Sequence, residues 1–276
     1  MRNSKSLATA VALMLGMGAA SAADLPMYAK ARPVAVASAY NWTGCYVGGF
    51  VGAASGGRVD ATEPVNTFGP YNLPGSPYNY DLNNGSFIGG GTLGCNYQSP
   101  GSVLVFGVEG ELGYINLKSS VIDPNSVATS GGDTIDSTKV GNGYGVIAGR
   151  LGVAFAPAWL LYAKGGAAFL RVSSSAVDTC TTAPCGPDVL TTTGGKDITT
   201  WALGGGLEYA INSNWSVKGE YLFLGLNDRF SSCGPGSNRG VALPTFCATH
   251  TIDGIHTVKF GLNYKFNWSG PVVARF

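Results

Sequence analysis

The chain has 276 residues, of which 12% are charged and 42 are glycine, and its formal net charge at pH 7 is +1. The charged share is about half the ~25% of typical soluble domains, and the glycine share is roughly twice the usual ~7%. The near-neutral charge gives no reason to expect a nucleic-acid partner. Beyond the N-terminus no apolar run reaches the ~18 residues that a membrane-spanning helix needs.

The N-terminus is predicted to be a secretory signal peptide. Two basic residues precede an apolar stretch over 7–20, and small residues follow it. This pattern predicts a signal peptide over 1–22, with cleavage after Ala22 or Ala23. A membrane anchor is disfavoured because the apolar stretch is short for a ~20-residue span. The Ala- and Pro-rich residues 23–41 are predicted to form a flexible lead-in.

Eight segments then alternate between apolar and polar residues, as half-buried β-strands do. In HTVKFGLNYKF, for example, large apolar side chains occupy the even positions while lysine, glycine and asparagine occupy odd ones. The predicted strands are 42–54, 86–97, 103–118, 143–156, 159–172, 199–210, 215–225 and 256–266. Each is as long as a tilted membrane strand, ~9–11 residues or slightly more.

The connections between these strands alternate between short and long. QSPGS, PA and INSN are tight turns, whereas 55–85, 119–142, 173–198 and 226–255 are long. In an up-and-down sheet all long loops then lie at one end, as in transmembrane barrels. A soluble β-sandwich also alternates, so alternation alone does not exclude it.

Two further features favour the barrel. Aromatic residues cluster near the short-turn end, which is typical of a girdle at a membrane interface: Trp42, Tyr97, Trp159, Tyr209, Trp215, Tyr264 and Phe266. Charged residues within strands share the face opposite the large apolar ones. We therefore predict an all-β protein, an eight-stranded antiparallel up-and-down transmembrane β-barrel over 42–268, with a C-terminal tail over 269–276. The lead-in at 23–41 would then be periplasmic.

The inward face is predicted to carry a lumen charge network of four acidic and five basic residues: Glu109, Glu111, Arg150, Lys164, Glu208, Lys218, Glu220, Lys259 and Lys265. Several of them fall at similar depth, so they can form a salt-bridge layer, and an eight-stranded barrel is narrow enough for side chains to fill. Near-balance of charge is what a plugged lumen requires. A charged, hydrated pore lining is the alternative.

The six cysteines belong to an exported chain, where disulfides form and persist. Cys45 and Cys95 lie at the same end of adjacent strands, so a cross-strand bond is plausible if both share a face. Within the third and fourth long loops, the remaining candidate pairs are Cys180–Cys185 and Cys233–Cys247. Zinc binding or free thiols are the alternatives, and zinc is disfavoured because no Cys-x-x-Cys occurs.

No motif predicts catalysis, a cofactor or a metal site. GGGTLG at 89–94 matches G-x-G-x-x-G, but a dinucleotide site needs a helix after it, and here it lies within a strand. The only histidines are His250 and His256, and no nucleophile with a base is recognisable. Asp228 and Asp253 are better explained as solvated loop charges than as cation ligands.

Taken together, these segments resemble the RopB-type outer-membrane barrels of alphaproteobacteria, often called porin-family proteins, which share the architecture of the OmpA and OmpX barrels. The resemblance covers nearly all of the chain after the signal peptide. It rests on NWTGCYVGGFVG, GSFIGGGTLGCNYQ, VFGVEGELGY, GRLGVAF, LLYAKGGAAF, WALGGGLEYAINSNWSVKGEYLFLGL and HTVKFGLNYKFNW. Cys45 and Cys95 depart from it, because similar sequences usually carry aromatic residues there.

The resemblance implies location in the bacterial outer membrane and insertion through a last strand that ends in an aromatic residue. Phe266 with Tyr264 behind it, or the terminal Phe276, fits that signal. The leading functional hypothesis is a non-enzymatic barrel that supports the envelope and displays four outer loops. Its expected partners are outer-membrane lipid and lipopolysaccharide, the insertion machinery, and host or envelope proteins at the loops. A small diffusion pore is the alternative.

Overall fold

The computed structural model describes residues 40–62, 77–82, 85–124, 134–179, 189–226, 228–238 and 241–266. The predicted signal peptide, nearly all of the lead-in, Cys180, Cys185 and the tail lie outside the described residues. Among those described, no helix is long and apolar enough to cross a membrane.

The described residues form twelve antiparallel strands. They are β1 (Gly44–Gly56), β2 (Arg58–Thr62), β3 (Tyr78–Asp81), β4 (Ser86–Gln98), β5 (Leu104–Ile122), β6 (Thr134–Ala156), β7 (Trp159–Thr179), β8 (Val189–Ala210), β9 (Trp215–Gly225), β10 (Arg229–Asn238), β11 (Val241–Ile252) and β12 (Ile255–Lys265).

Eight of these strands close into a ring in the order β1-β4-β5-β6-β7-β8-β9-β12, and β12 pairs back onto β1. The closing register runs from Tyr46 opposite Lys265 to Gly56 opposite Ile255. These eight are the strands that the alternation predicts, so the prediction of an eight-stranded antiparallel barrel is confirmed. Closure leaves the ring without an unpaired edge, which membrane-spanning sheets require.

The outward face of the ring is a continuous apolar surface. Its exposed side chains include Val47, Val51, Phe87, Leu93, Phe106, Val108, Leu112, Ile147, Leu151, Leu161, Leu203, Val217, Val258, Phe260 and Leu262. On β7 this apolar belt runs from Trp159 to Phe169, and both are exposed. At ~3.3 Å per residue and a ~40° tilt, that stretch spans ~25 Å along the membrane normal, the height of an outer-membrane apolar band.

The long connections contain regular structure that alternation did not predict. Strands β5–β8 continue beyond the apolar belt, and β2, β3, β10 and β11 form within two of the predicted loops. These short strands extend the sheet in the order β3-β2-β11-β10-β8. The Ser119 hydroxyl on β5 donates to the Asp81 carbonyl on β3 at 2.9 Å, which brings the two ends of this sheet together. We call these strands and continuations the outer extension.

A β-bulge on β6 marks the boundary between the apolar belt and the outer extension. The pairing with β7 shifts between Val140 and Tyr144, and Gly141 and Asn142 within the shift have φ values of +127° and +82°. A Cβ on Gly141 would lie 1.8 Å from the Ile115 carbonyl oxygen, so only glycine fits there.

Candidate functional site

A layer of ionised side chains fills the middle of the barrel. Six strands contribute to it, each from an inward-facing position. The layer consists of Glu109, Glu111, Arg150, Lys164, Glu208, Lys218, Glu220 and Lys259, and none is more than 5% exposed. Four negative and four positive groups give it a formal charge of zero, which favours burying them together.

Glu109 on β5 lies at the centre of this charged layer. Its carboxylate accepts from Lys164 at 2.6 Å and from Lys218 at 2.9 Å, and Arg150 lies 3.4 Å away. The Tyr46 hydroxyl also donates to it at 2.5 Å. Every oxygen of this buried carboxylate therefore has a donor, as a buried charge requires.

Glu111 and Glu220 share two lysines. Lys164 lies 2.9 Å from Glu111 and 3.1 Å from Glu220, while Lys259 lies 2.7 Å from Glu111 and 2.8 Å from Glu220. Oxygens of Glu109, Glu111 and Glu220 lie within 4.8 Å of one another, a spacing that could hold a metal ion. The ammonium groups already occupy the space between these carboxylates, so the arrangement is better described as an ion-pair network.

Arg150 and Glu208 form a second branch of the layer, nearer the short-turn end. The Arg150 guanidinium donates to Glu208 at 2.7 Å and to the Tyr46 hydroxyl at 2.5 Å, and it lies 3.9 Å from the centre of the Tyr162 ring. Glu208 also accepts from the Ser216 hydroxyl at 2.6 Å. This branch combines ion pairing with a cation–π contact.

Three tyrosines belong to the layer although the charge pattern did not single them out. Tyr46 donates to Glu109, Tyr144 to Glu111, and Tyr162 to Glu220 at 2.8 Å. Their inward parity on β1, β6 and β7 was the available signal, but parity on β1 was ambiguous because both of its faces carry apolar residues.

Glycines on neighbouring strands make room for these tyrosine rings. A Cβ on Gly94 would lie 2.5 Å from the Tyr46 hydroxyl, and one on Gly206 would lie 2.6 Å from that of Tyr162. The glycine runs of the sequence thus place small residues where large inward side chains cross the narrow lumen.

Apolar side chains pack on both sides of the charged layer. Toward the short turns, Trp42 packs with Val105, Leu160, Tyr162 and Ala210. Toward the long connections, a larger cluster includes Ile88, Ile115, Val146, Leu222 and Leu224, and it continues into the outer extension. The charged layer therefore lies between two apolar layers inside the barrel.

Trp42 thus differs from the predicted aromatic girdle. It is only 2% exposed and lies inside the barrel. It has the inward parity of Tyr46 and Phe50 on β1, which the sequence left ambiguous because both faces of that strand carry apolar residues. Its backbone N–H donates to the Gln98 side chain at 3.0 Å, which holds the chain across the barrel end.

The other six girdle residues face outward at the short-turn end. Tyr97, Trp159, Tyr209, Trp215 and Phe266 are exposed, and Tyr264 is half-buried. Ring contacts join neighbours: Trp159 and Tyr209 have centroids 4.7 Å apart, and those of Trp215 and Tyr264 are 5.0 Å apart.

Lys265, the ninth residue of the predicted charge network, lies apart from the layer. Its ammonium group donates to the Asn41 carbonyl at 2.5 Å and lies 3.9 Å from the Tyr40 ring centre. It is near the end of β12, where the chain leaves the barrel, so its side chain reaches the rim.

The structure contains the predicted Cys45–Cys95 and Cys233–Cys247 disulfides. Cys45 lies directly opposite Cys95 in the β1–β4 ladder, and Cys233 lies directly opposite Cys247 in the β10–β11 ladder. One bond therefore joins barrel strands near the short-turn end, and the other ties a hairpin of the outer extension.

The two histidines lie outside the charged layer. His256 faces outward on β12, with Nδ1 2.7 Å from the Tyr221 hydroxyl. His250 is buried in the outer extension, where it stacks on Phe230 at 5.4 Å. Its Nε2 lies 3.5 Å from the Ser232 hydroxyl, and its Nδ1 has no partner among the described residues.

Comparison with known proteins adds the family context. The family model described as "Outer membrane protein beta-barrel domain" matches residues 9–266. Proteins named 31 kDa outer-membrane immunogenic protein, from Brucella melitensis and Brucella suis, are 32% identical over 250 residues. Those alignments cover 90% of this chain and 93% of each relative.

Solved outer-membrane proteins also resemble this chain. OprG from Pseudomonas aeruginosa has a TM-score of 0.48 and 9% identity, over 83% of this chain and 99% of that one. Ail, the attachment invasion locus protein of Yersinia pestis, has a TM-score of 0.34 and 12% identity, over 81% and 99% of the two chains.

Proposed function

The chain belongs to the outer-membrane β-barrel family of the bacterial outer membrane, and we propose that it is a closed barrel that supports the envelope and presents an outer surface for interactions. The observation that carries this proposal is the neutral charged layer held between two apolar layers. Water-filled channels occur in barrels of more strands, whereas eight strands leave room for little beyond side chains. Ions would have to displace paired side chains in order to pass.

The outer extension supports the second half of the proposal. Strands that continue beyond the membrane create a rigid display surface, and the Cys233–Cys247 bond ties the hairpin β10–β11. A folded surface loses less conformational entropy on binding than a disordered loop does. Host or envelope proteins are the proposed partners there.

A small diffusion pore is the second candidate, and one observation favours it. Several buried polar atoms in the lumen have no partner among the described residues: Arg150 Nε, Thr92 Oγ1, Asn96 Oδ1 and Asn263 Oδ1. Such atoms are commonly satisfied by buried water. A connected file of these waters would conduct, whereas isolated ones would not.

An enzymatic role has less support. The Ser232 and His250 side chains are a hydroxyl and an imidazole in contact, but both are buried and 3.5 Å apart. Nucleophilic catalysis needs a base held by a third group, and the other ring nitrogen of His250 lacks a partner in the described part of the chain.

Single-channel recording distinguishes the closed barrel from the pore. The protein is purified from outer membranes, its folding is checked by heat-dependent gel mobility, and it is placed in a planar bilayer. We expect no current steps from the wild type. The neutral pair variant Glu109→Ala with Lys164→Ala removes the centre of the layer and leaves both apolar layers in place, so current steps from this variant alone would show that the paired charges close the lumen. Reproducible steps from the wild type would replace the closed barrel with the pore.

A further inference from the structure

A cluster of basic side chains faces outward just beyond the apolar belt. Lys118 on β5 lies directly opposite Lys139 on β6, and neither has an ion-pair partner among the described residues. Arg171 follows on β7, two residues from Ser173, which pairs with Lys139. Arg171 forms an exposed pair with Asp197 at 3.3 Å. The three cations outnumber the one anion, so this surface carries a formal charge of +2.

Two like charges directly opposite each other destabilise a sheet. The pairing of Lys118 with Lys139 therefore favours an anion that neutralises both ammonium groups. A pair of exposed lysines in bulk water would remain solvated. Lys118 and Lys139, in contrast, lie where the apolar belt ends, next to the membrane surface. With the long connections outward, the headgroups of the outer leaflet would meet the barrel at this level.

A row of hydroxyl groups lies next to the two lysines. Ser120, Ser137, Ser175 and Thr193 lie in register across β5–β8, one row beyond the lysines. Ser120 and Ser137 hydroxyls are 2.8 Å apart. Together with Lys118, Lys139 and Ser173 they line a hollow of about 470 Å³. Hydroxyl and ammonium donors around one hollow suit the acceptor oxygens of a phosphate.

An apolar notch lies on the membrane side of this hollow. Gly143 on β6, Leu112 on β5 and Phe169 on β7 line this notch. The notch measures about 520 Å³ and Arg171 lies at its upper rim. A Cβ on Gly143 would meet nothing closer than the Gly113 carbonyl oxygen at 3.9 Å, so the space is open.

We propose that this surface is a binding site for an outer-leaflet lipid that carries phosphate on its headgroup. An acyl chain would lie in the notch, and the phosphate would lie between Lys118 and Lys139, with the hydroxyl row as additional donors. The inference deepens the proposed function, because it needs the barrel to be seated in the outer membrane with the long connections outward. It does not depend on whether the lumen conducts.

Native mass spectrometry of the full protein purified from outer membranes in detergent tests the site. The probe is bisphosphorylated lipid A, with phosphatidylcholine as a zwitterionic comparison. We expect Lys118→Gln with Lys139→Gln to weaken lipid A binding about tenfold or more, since each cation near a lipid surface contributes substantially. Gly143→Leu, which fills the notch and leaves the lysines in place, is expected to weaken it as well.

The control pair is Arg58→Gln with Arg229→Gln, two exposed cations of the outer extension on β2 and β10. This pair should leave lipid A binding unchanged. Three results would overturn the proposal: lysine variants that bind like the wild type, a Gly143→Leu variant that binds like the wild type, or competition by inorganic phosphate at equal concentration. The last would indicate a free-anion site without a lipid.

Discussion

Removing Arg150 should destabilise the barrel strongly without changing its strand order. The guanidinium makes two ion pairs, to Glu208 at 2.7 Å and to Glu109 at 3.4 Å, and it stacks on Tyr162. Arg150→Ala leaves the layer with four carboxylates and three cations. Glu109 keeps Lys164 and Lys218, but Glu208 loses its only ion-pair partner among the described residues.

The expected cost of Arg150→Ala is about 3–5 kcal/mol, the usual penalty for leaving one partner of a buried ion pair uncompensated. Hydrogen bonds to charged groups contribute ~1.5–3 kcal/mol each, so two lost ion pairs reach the same range. Ser216 and Asn263 still donate to Glu208, at 2.6 and 2.9 Å, and this places the cost toward the lower end.

Urea unfolding measured by tryptophan fluorescence, with gel mobility as a second probe, provides the free energy of unfolding. Two matched variants separate charge from packing. Arg150→Met with Glu208→Gln restores a neutral layer and should recover most of the lost free energy of unfolding. Arg150→Lys keeps the charge but not the planar guanidinium, so its free energy of unfolding should lie between those of Arg150→Ala and the wild type. If Arg150→Ala unfolds at the wild-type urea concentration and only changes ion selectivity, the inward charges are hydrated and the reasoning is wrong.

Three further predictions concern other parts of the molecule. Trp42→Ala should lower the free energy of unfolding by about 3–5 kcal/mol, as large core truncations do, yet leave the bilayer current at zero because the charged layer remains. Cys45→Ser with Cys95→Ser removes a bond between residues 50 positions apart, so the free energy of unfolding in urea should fall by up to about 4 kcal/mol. If this bond, and not Cys233–Cys247, determines the urea midpoint, reductant should leave the midpoint of the double variant unchanged. Burial lowers the pKa of His250 to about 4, so the folded hairpin favours the neutral ring. The stability that this ring contributes to the hairpin is complete above the unfolded pKa of ~6.5 and is lost as the pH falls toward 4. The free energy of opening of the hairpin β10–β11, measured through its resistance to protease, should therefore fall by about 2 kcal/mol between pH 7 and pH 5. His250→Phe should remove this pH dependence.

The sequence predicted the barrel because two periodicities agreed. Large apolar residues recur at every second position of eight segments, and the charged residues recur on the opposite parity, as for Arg150 against Leu151. Short turns alternate with long connections, which fixed the up-and-down order. The parity of the first strand was ambiguous because both of its faces carry apolar residues, and for this reason Trp42 was assigned to the wrong side.

The outer extension could not be predicted for a different physical reason. Its strands are short and rich in serine, threonine and glycine, such as RFSSCGPGSN in β10. Neither face is strongly apolar, so alternation is weak, and pairing to β8 and β2 depends on contacts distant in sequence. The positive φ values of Gly141 and Asn142, which begin the extension on β6, are likewise invisible to a pattern of hydrophobicity.

The charged layer also restricts how the strands can pair. A slip of one residue is excluded by the apolar belt, because it would turn every large side chain inward. A slip of two residues keeps that parity, so only the charges oppose it. Glu220 on β9 lies directly opposite Lys259 on β12. A two-residue slip in one direction would set Lys259 opposite Lys218, and in the other direction opposite Leu222. The first places like charges together and the second leaves a buried ammonium against an apolar side chain, and both are costly. The apolar pattern therefore selects the face of each strand, while the inward charges select among the registers that this face still allows.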